Sequence, residues 1–194
     1  ATLAALPDVA ARWRRPIEPG VPLEIDGFTL EAVSIPHDAA GPQGYAITAI
    51  ASGARLAVAH DLGAVPDALR TAFQHCDVLC LEANHDVEML RAGPYPWHLQ
   101  QRIRGGRGHL SNVQGGALAA ELATPALRAV VLLHLSETNN TPELAEREVS
   151  ARLRRVRYSG PVTAAPRRVP HAAFSLDGTV SFRASRTVQL SLGV

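Results

Sequence analysis

Residues 56–63, Leu-Ala-Val-Ala-His-Asp-Leu-Gly, and residues 78–85, Val-Leu-Cys-Leu-Glu-Ala-Asn-His, decide the fold. Each stretch opens with an apolar run as long as a buried strand, and a histidine or a carboxylate follows that run at once. The same order occurs before His37 and before His134, and helical patterns separate the runs. This alternation of short strands with helices predicts an α/β protein.

The composition of the 194 residues is that of an ordinary globular protein, with 46% hydrophobic residues, 19% charged residues and a formal net charge of +1. It excludes a disordered or fibrous chain and gives no global argument for binding nucleic acid. No stretch approaches the roughly 18 apolar residues of a membrane span, and the first residues lack the order of a signal peptide. We therefore expect a cytoplasmic protein with no membrane partner. All basic residues are arginines, which together with abundant alanine is typical of a GC-rich bacterial genome.

Turn and cap signals divide the chain into elements. Dipeptides suited to tight turns stand at residues 26–27, 52–53 and 177–178. Residues 111–114, Ser-Asn-Val-Gln, form a capping box, and Thr141 is an N-cap followed by proline at the first helical position. The expected strands are residues 23–35, 45–51, 56–59, 78–81, 130–133, 162–164, 172–176 and 179–182, and the expected helices are residues 6–15, 65–74, 87–104 with an interruption, 111–122 and 142–156.

The two cysteines, Cys76 and Cys80, lie four residues apart at the edge of one apolar run. A strand over both residues points them to the same face and leaves them too far apart along the chain to form a disulfide. We therefore expect buried reduced thiols.

The chemistry is expected where the strands end. In a layered α/β fold the strand ends lie along one edge of the sheet, where ligands usually bind, so residues far apart in sequence converge there. Imidazole and carboxylate are the ligands that hold zinc or manganese. One histidine at a strand end is more often a hydrogen-bonded structural residue, but four such ends in series predict a metal or catalytic site.

His109 has a different setting, in the glycine-rich residues 105–112 that lead into the capped helix. The N-terminus of a helix favours anions, so this position suits an acid or a hydrogen-bond donor that faces a phosphate. The alternative is a loop histidine that caps a turn.

Six stretches stand in a distinctive order: HDAAGPQGY at 37–45, AHDLG at 59–63, LEANHDVEML at 81–90, GPYPWHLQQRI at 93–103, GHLSN at 108–112 and LLHLSETNN at 132–140. Together they resemble the YycJ/WalJ-like branch of the metallo-β-lactamase fold hydrolases over residues 22–156. More distantly the chain is similar to the tRNA-maturing endonucleases of the same fold. The resemblance implies an α/β architecture of the αββα sandwich type.

The resemblance also implies a site with two divalent ions, zinc or manganese. It assigns His37 to one ion and His134 to the other, with Asp61 as the carboxylate that bridges both. His109 matches the histidine that assists departure of the alkoxide in phosphodiester cleavage, so Asp61 and His109 are the expected catalytic residues. Glu82 matches a segment that lines the site. The residues expected to bind substrate are His85, Ser111 and Asn112.

The sequence departs from the family in one respect. Members of this fold supply most metal ligands from an N-terminal His-x-His-x-Asp-His motif, and this chain contains no His-x-His. We therefore expect residues 1–194 to form a single metallo-β-lactamase-like domain that lacks its N-terminal strands and about half of its ligands. His60 matches a position that is variable in the family, and we expect it to be structural.

This departure has consequences for the metal and for the surface. Three protein ligands shared between two ions leave each ion with one or two contacts, fewer than the three or four of a zinc site. We expect metal binding by this chain alone to be weak or absent. A missing layer would also expose a sheet edge and favour self-association.

These expectations describe a metal-dependent hydrolase, a phosphodiesterase or a nuclease of the 5′–3′ exonuclease kind, acting on nucleic acid or on a small phosphodiester. The alternative from another class is a metal-poor, catalytically incompetent fragment that serves as a binding or structural module. Thioester or lactam hydrolysis on the same fold is less favoured, because the loop of His109 matches the phosphodiesterases.

Basic and aromatic residues near His109 give a further expectation. Arginines there suit contacts to a nucleic-acid backbone, and aromatic rings suit stacking on bases. The alternatives are solvated arginines and rings packed around the neighbouring prolines, and the arginines of the last helix are expected to be a solvated face. The residues concerned are Arg102, Arg104 and Arg107 for the phosphates, and Tyr95 and Trp97 for the bases.

Overall fold

A computed structural model describes residues 17–39 and 41–166, together with the backbone of residues 174–175, 180–183 and 189–192. The helix expected at residues 6–15 and the turn expected at residues 177–178 lie outside the described residues. None of the helices in the described part of the chain is long and apolar enough to cross a membrane.

Seven strands form one sheet whose spatial order is the same as the chain order. The first four strands pair antiparallel and the last four pair parallel, with the fourth strand common to both halves. The strands are β1 (Leu23–Ile25), β2 (Phe28–Ser34), β3 (Gln43–Ala49), β4 (Arg55–Ala59), β5 (Val78–Glu82), β6 (Ala129–Leu133) and β7 (Val162–Ala164).

Tight turns at residues 26–27 and 53 connect strands in the antiparallel half of the sheet. Ile25 pairs with Phe28 across Asp26 and Gly27, whose φ angles of 47° and 81° are those of a two-residue hairpin turn. Gly53 has a φ of 73° in the turn between β3 and β4. The predicted hairpins are therefore confirmed in this half of the sheet.

Helices connect the parallel strands. They are α1 (Asp67–Ala72), α2 (Val87–Ala92), α3 (Trp97–Arg104), α4 (Asn112–Leu122) and α5 (Pro142–Arg155). The interruption expected within residues 87–104 separates α2 from α3. The Ser111 capping box begins α4, and the Thr141 hydroxyl accepts from the backbone N–H of Leu144 at the start of α5.

The core follows the pleat of the strands. On β5, Leu79 and Leu81 belong to a buried cluster that includes residues of α1, α4 and α5. The alternate residues Val78 and Cys80 belong to a second cluster, built from strand residues on the other face of the sheet. The central parallel strands β5 and β6 are buried on both faces, which explains why their sequences are almost continuous apolar runs.

Both cysteines are free and buried, as expected. The prediction that they share a face was wrong, because Cys76 packs in the helix-side cluster and Cys80 in the opposite one. Cys76 precedes the first residue of β5, so the alternation of that strand does not extend to it.

A separate three-stranded sheet is described as backbone only, in the order β10-β9-β8. Strands were expected at residues 172–176 and 179–182, and two strands of this sheet overlap these two segments. The strands are β8 (Phe174–Ser175), β9 (Val180–Arg183) and β10 (Gln189–Leu192).

Candidate metal centre

The carboxyl ends of three adjacent parallel strands carry acidic and imidazole side chains. Asp61 follows β4, Glu82 ends β5 and His134 follows β6. His109, which precedes α4, joins them, and one ligand atom from each of the four residues lies within 4.8 Å of the others. The structure therefore brings residues from 61 to 134 to one point at the edge of the sheet.

The backbone turns sharply at two of these residues. Asp61 and His134 have φ angles of 59° and 58°, in the left-handed region that residues other than glycine seldom adopt. Such a conformation costs about 1 to 3 kcal/mol and persists where the surrounding contacts over-determine it. Here it ends the strand and directs the side chain toward the cluster.

Asp61 is the point on which the imidazoles converge. Its Oδ1 lies 3.4 Å from His134 Nδ1, 3.5 Å from His109 Nδ1 and 3.9 Å from His37 Nε2. The His60 Nδ1–H donates to Asp61 Oδ2 at 3.1 Å. That hydrogen bond, opposed by partial burial and assisted by the nearby imidazoles, lowers the pKa of Asp61 to about 2.

Glu82 is fully buried and is hydrogen-bonded to two other members of the cluster. Its Oε1 accepts from His109 Nδ1 at 2.9 Å and from His134 Nδ1 at 2.8 Å. Its Oε2 accepts from the backbone N–H groups of Leu62 at 2.8 Å and Leu110 at 3.1 Å. Burial raises the pKa of Glu82, but the hydrogen bonds and charges of the two histidines outweigh it and hold the pKa below its ordinary value.

These hydrogen bonds set the state of the two histidines. An ionised carboxylate only accepts, so each Nδ1 carries the proton that it donates to Glu82. The Nε2 atom of a neutral ring is then unprotonated, which is the form in which imidazole binds a metal.

His37 reaches the cluster from the antiparallel half of the sheet. Its Nδ1–H donates to the carbonyl of Gly108 at 3.0 Å, and its ring centroid lies 5.0 Å from that of His109. Its Nε2 lies 3.3 Å from Asp38 Oδ1. The three residues expected to bind metal, His37, Asp61 and His134, therefore lie around one site.

The donor set fits a divalent transition metal. Imidazole nitrogens and carboxylate oxygens are ligands of zinc and manganese, whereas calcium and magnesium prefer oxygen alone. Both cysteines are buried in the core, so the described cluster offers no thiolate. Such a centre suits Lewis-acid chemistry on an oxyanion substrate.

The residues expected to bind substrate lie in the interior beside the site. Ser111 is buried in its capping box with Gln114. Asn112 is buried and exchanges side-chain hydrogen bonds with Asn140 at 2.9 and 2.8 Å. His85 is 2% exposed, and burial lowers its pKa to about 4. In this conformation none of the three is open to a substrate, and their binding role stays a prediction.

A cavity of about 1100 Å³ opens beside the cluster. His60, His109 and His134 line one part of it, and strand residues of the second core cluster line another. The α3 side contributes Tyr95, Leu99 and Ile103, and the loop after β6 contributes residues 135–138. The cluster therefore borders a cleft with many apolar lining residues.

Comparison with known proteins places the chain in a family. The profile described as the beta-lactamase superfamily domain matches residues 3–135, which is more than half of the chain. The chain belongs to this family. The matched range contains His37 and all four residues of the cluster.

Within the beta-lactamase superfamily, two curated relatives confirm the resemblance to the YycJ/WalJ branch. The exodeoxyribonuclease YycJ of Bacillus anthracis is 37% identical over 121 residues, covering 62% of this chain and 45% of that protein. The exodeoxyribonuclease WalJ of Streptococcus pneumoniae is 37% identical over 116 residues, covering 60% of this chain and 42% of that protein. The chain thus spans less than half the length of these relatives.

A solved structure supports the fold. The metallo-β-lactamase fold protein YhfI of Bacillus subtilis has a TM-score of 0.56 and 19% identity, covering 77% of this chain and 50% of that one. The mixed α/β architecture with a seven-stranded sheet therefore matches the metallo-β-lactamase fold, as the sequence predicted.

Sequence reasoning gave too little weight to three residues of this superfamily member. Glu82 was expected only to line the site, yet it contacts two histidines and two backbone segments. His60 was expected to be structural, which its hydrogen bond to Asp61 does not contradict, but its contact with the cluster was not foreseen. Asn84 donates to the carbonyl of His134 at 2.9 Å. A carboxylate as the last residue of a fully buried strand was the available signal for Glu82, because such a charge needs partners.

Proposed function

We propose that this chain forms the centre of a metal-dependent hydrolase that cleaves phosphodiester bonds in nucleic acid. The convergence of Asp61, Glu82, His109 and His134 carries the proposal. The exodeoxyribonuclease names of the YycJ and WalJ relatives favour an exonuclease over a hydrolase of small diesters. The 5′–3′ direction is carried over from the family resemblance.

In this proposal His37 would hold one of two divalent ions, zinc or manganese, His134 would hold the other, and Asp61 would be a ligand of both. Bound ions of this kind polarise phosphoryl oxygens and lower the pKa of water to near neutrality. Asp61 has a pKa of about 2, so its side chain is an ionised carboxylate at neutral pH. It therefore has no proton to release when it binds a metal ion.

His109 is the proposed general acid. Glu82 holds its Nδ1, so Nε2 is the atom that gives a proton to the departing alkoxide oxygen. The transfer requires a ring protonated at both nitrogens, which releases the Nε2 proton while Nδ1–H stays hydrogen-bonded to Glu82. Glu82 is thus a positioning residue that acts through His109.

The affinity for metal is proposed to be weak in this chain alone. His37, Asp61 and His134 provide fewer ligands than two ions ordinarily take from a protein. The alternative, a metal-poor binding or structural module, remains an outcome of the test.

The test uses the 194-residue chain with saturating zinc or manganese and an oligodeoxynucleotide labelled at either end. We expect metal-dependent release of mononucleotides, beginning with the 5′ label, and loss of release with a chelator or with Asp61→Asn. Asp67→Asn, an acidic residue at the exposed start of α1, is the matched control and should retain activity. A metal-loaded chain that cleaves neither the oligonucleotide nor a chromogenic diester would refute the proposal in favour of the module.

A further inference from the structure

Two buried asparagines pair their side-chain amides across two distant segments of the chain. Asn112 Nδ2 donates to Asn140 Oδ1 at 2.9 Å, and Asn140 Nδ2 donates to Asn112 Oδ1 at 2.8 Å. Both residues are buried, so solvent does not compete for these hydrogen bonds. We call Asn112 and Asn140 the amide pair. Hydrogen bonds are directional, so a reciprocal pair of this kind fixes both the distance and the orientation of the two backbones that carry it.

The amide pair joins the segments that carry two histidines of the metal centre. Asn112 is the first residue of α4 and follows His109 closely in the chain. Asn140 follows His134 in the connection between β6 and α5. His109 and His134 donate to the same oxygen, Glu82 Oε1, at 2.9 and 2.8 Å. The spacing of the two segments therefore decides whether both of these hydrogen bonds can form at once.

The segment that follows β5 lies between these two segments. The N–H of Asn84 donates to the carbonyl of Leu110 at 2.9 Å, and the N–H of Ser136 donates to the carbonyl of Asn84 at 2.7 Å. Asn140 Nδ2 also donates to the carbonyls of Ala83 at 2.9 Å and Asn84 at 3.1 Å. The amide of Asn140 therefore contacts both the segment after β5 and the start of α4.

The neighbouring Asn139 provides an internal comparison, because it is equally buried but makes different contacts. Its Nδ2 lies 3.5 Å from Ser136 Oγ in the same loop, and its Oδ1 has no hydrogen-bond partner in the part of the chain that the structure describes. The side chain of Asn139 thus stays within one segment, whereas the side chain of Asn140 bridges three. Burial of an amide near the metal centre does not by itself produce the bridge.

We propose that the two asparagines of the amide pair are positioning residues for the metal centre. They hold His109 and His134 at the spacing that lets both imidazoles share Glu82. The ring centroids of the two histidines lie 5.0 Å apart. The inference rests on the proposed function and deepens it, because this spacing sets where the proposed acid stands relative to a proposed metal ligand. A misplacement of about 1 Å can cost about 10²-fold in rate, so a contact remote from the reacting atoms can control turnover.

The first test observes the two histidines in the metal-free 194-residue chain. Heteronuclear NMR of the imidazole nitrogens distinguishes the Nδ1–H form of a neutral ring from the Nε2–H form, and His109→Ala and His134→Ala assign the signals. The unsubstituted chain should show both rings in the Nδ1–H form, hydrogen-bonded to Glu82. In Asn112→Ala and in Asn140→Ala we expect at least one of the two signals to shift or broaden, because the spacing is no longer fixed.

The matched control is Asn139→Ala, which removes an equally buried amide and should leave both signals in place. Asn112→Ala is the milder of the two test variants, because Asn140 keeps its hydrogen bonds to the segment after β5 and alanine suits the start of a helix. Asn112→Ala/Asn140→Ala should change the signals no more than Asn140→Ala does, since all three variants lack the same pair. Unchanged signals in both single variants, or an equal change in Asn139→Ala, would overturn the inference.

Turnover at saturating metal gives the second readout. In Asn112→Ala the kcat on a nucleotide diester should fall by about 10- to 100-fold while KM stays unchanged, because the acid is displaced and the substrate contacts are kept. A lower urea midpoint with unchanged signals and unchanged kcat would show a role in stability alone and overturn the inference.

A rise in KM at unchanged kcat would instead make Asn112 a substrate-binding residue, as the sequence predicted, and would also overturn the inference. Failure of the proposed function shows differently. In that case the histidine signals respond to the variants as expected, but the unsubstituted chain cleaves no diester with metal present.

Discussion

Asp61 and His134 leave the two strands that flank β5 in the same left-handed conformation, and Asp61 Oδ1 lies 3.4 Å from His134 Nδ1. Glu82, at the end of β5 between them, accepts from His134 and from His109. Strand β5 thus contributes the buried carboxylate that orients His109 and His134. The neighbouring strands β4 and β6 are followed by the left-handed turns at Asp61 and His134. The site is built from the sheet edge rather than from a flexible loop.

Glu82→Gln should destabilise the fold by about 2 to 4 kcal/mol, because the amide must place its NH₂ against either two imidazole N–H groups or two backbone N–H groups. Urea denaturation measures the loss as a lower midpoint with an unchanged slope. Glu88→Gln, an exposed residue paired with Arg91, is the control and should change stability by less than about 0.5 kcal/mol. A fully stable Glu82→Gln variant would show that the buried carboxylate is not the organiser of the site.

His85 predicts a loss of stability in mild acid. Its pKa is about 4 in the fold against 6.5 in an unfolded chain, so between these values the unfolded state binds the additional proton. The contribution of His85 to stability should therefore fall as pH drops from about 6.5 to 4, by at most about 3 kcal/mol, since one pKa unit corresponds to about 1.4 kcal/mol.

Urea titrations across that pH range measure the effect, and His85→Leu should remove this part of the pH dependence. Binding of the labelled oligodeoxynucleotide should be unaffected by the substitution if the residue stays buried. Weaker binding at unchanged stability would instead support the substrate-binding role predicted from the sequence.

His109→Ala should lower turnover of a nucleotide diester by about 10²–10⁴, the usual contribution of a general acid. The loss should be much smaller for a diester with a nitrophenolate leaving group, which departs with little need of a proton. Metal content should be unchanged. Equal losses on both substrates would contradict the general-acid role, and loss of metal would make His109 a ligand, as its place within the donor cluster also allows.

Local chemistry explains which features could be predicted from the sequence. The Asp26-Gly27 hairpin and the Ser111 and Thr141 caps depend on neighbours a few residues away. The rule that strand ends share one edge predicted that the polar groups after the strands converge, because it needs only the order of strands. The family resemblance then singled out His37, Asp61 and His134 among those groups.

The rest depends on partners distant in sequence. Glu82 is hydrogen-bonded to residues 20 to 52 positions away in the sequence. The local sequence around Glu82 therefore does not reveal its four contacts. The burial of His85, Ser111 and Asn112 follows from the pairing of residues 85 and 111 and from Asn140, which no local signal shows. The single domain lacking N-terminal strands, the self-association and the cytoplasmic location stay predictions.

Isothermal titration of the 194-residue chain with zinc tests the central claim most directly, because Asp61 and the histidines around it are the proposed ligands. We predict measurable zinc binding that weakens at least about tenfold in Asp61→Asn, which keeps the shape and tolerates the left-handed backbone, and that is unchanged in Asp67→Asn. Zinc binding of equal affinity in all three proteins would contradict a metal centre at this edge of the sheet.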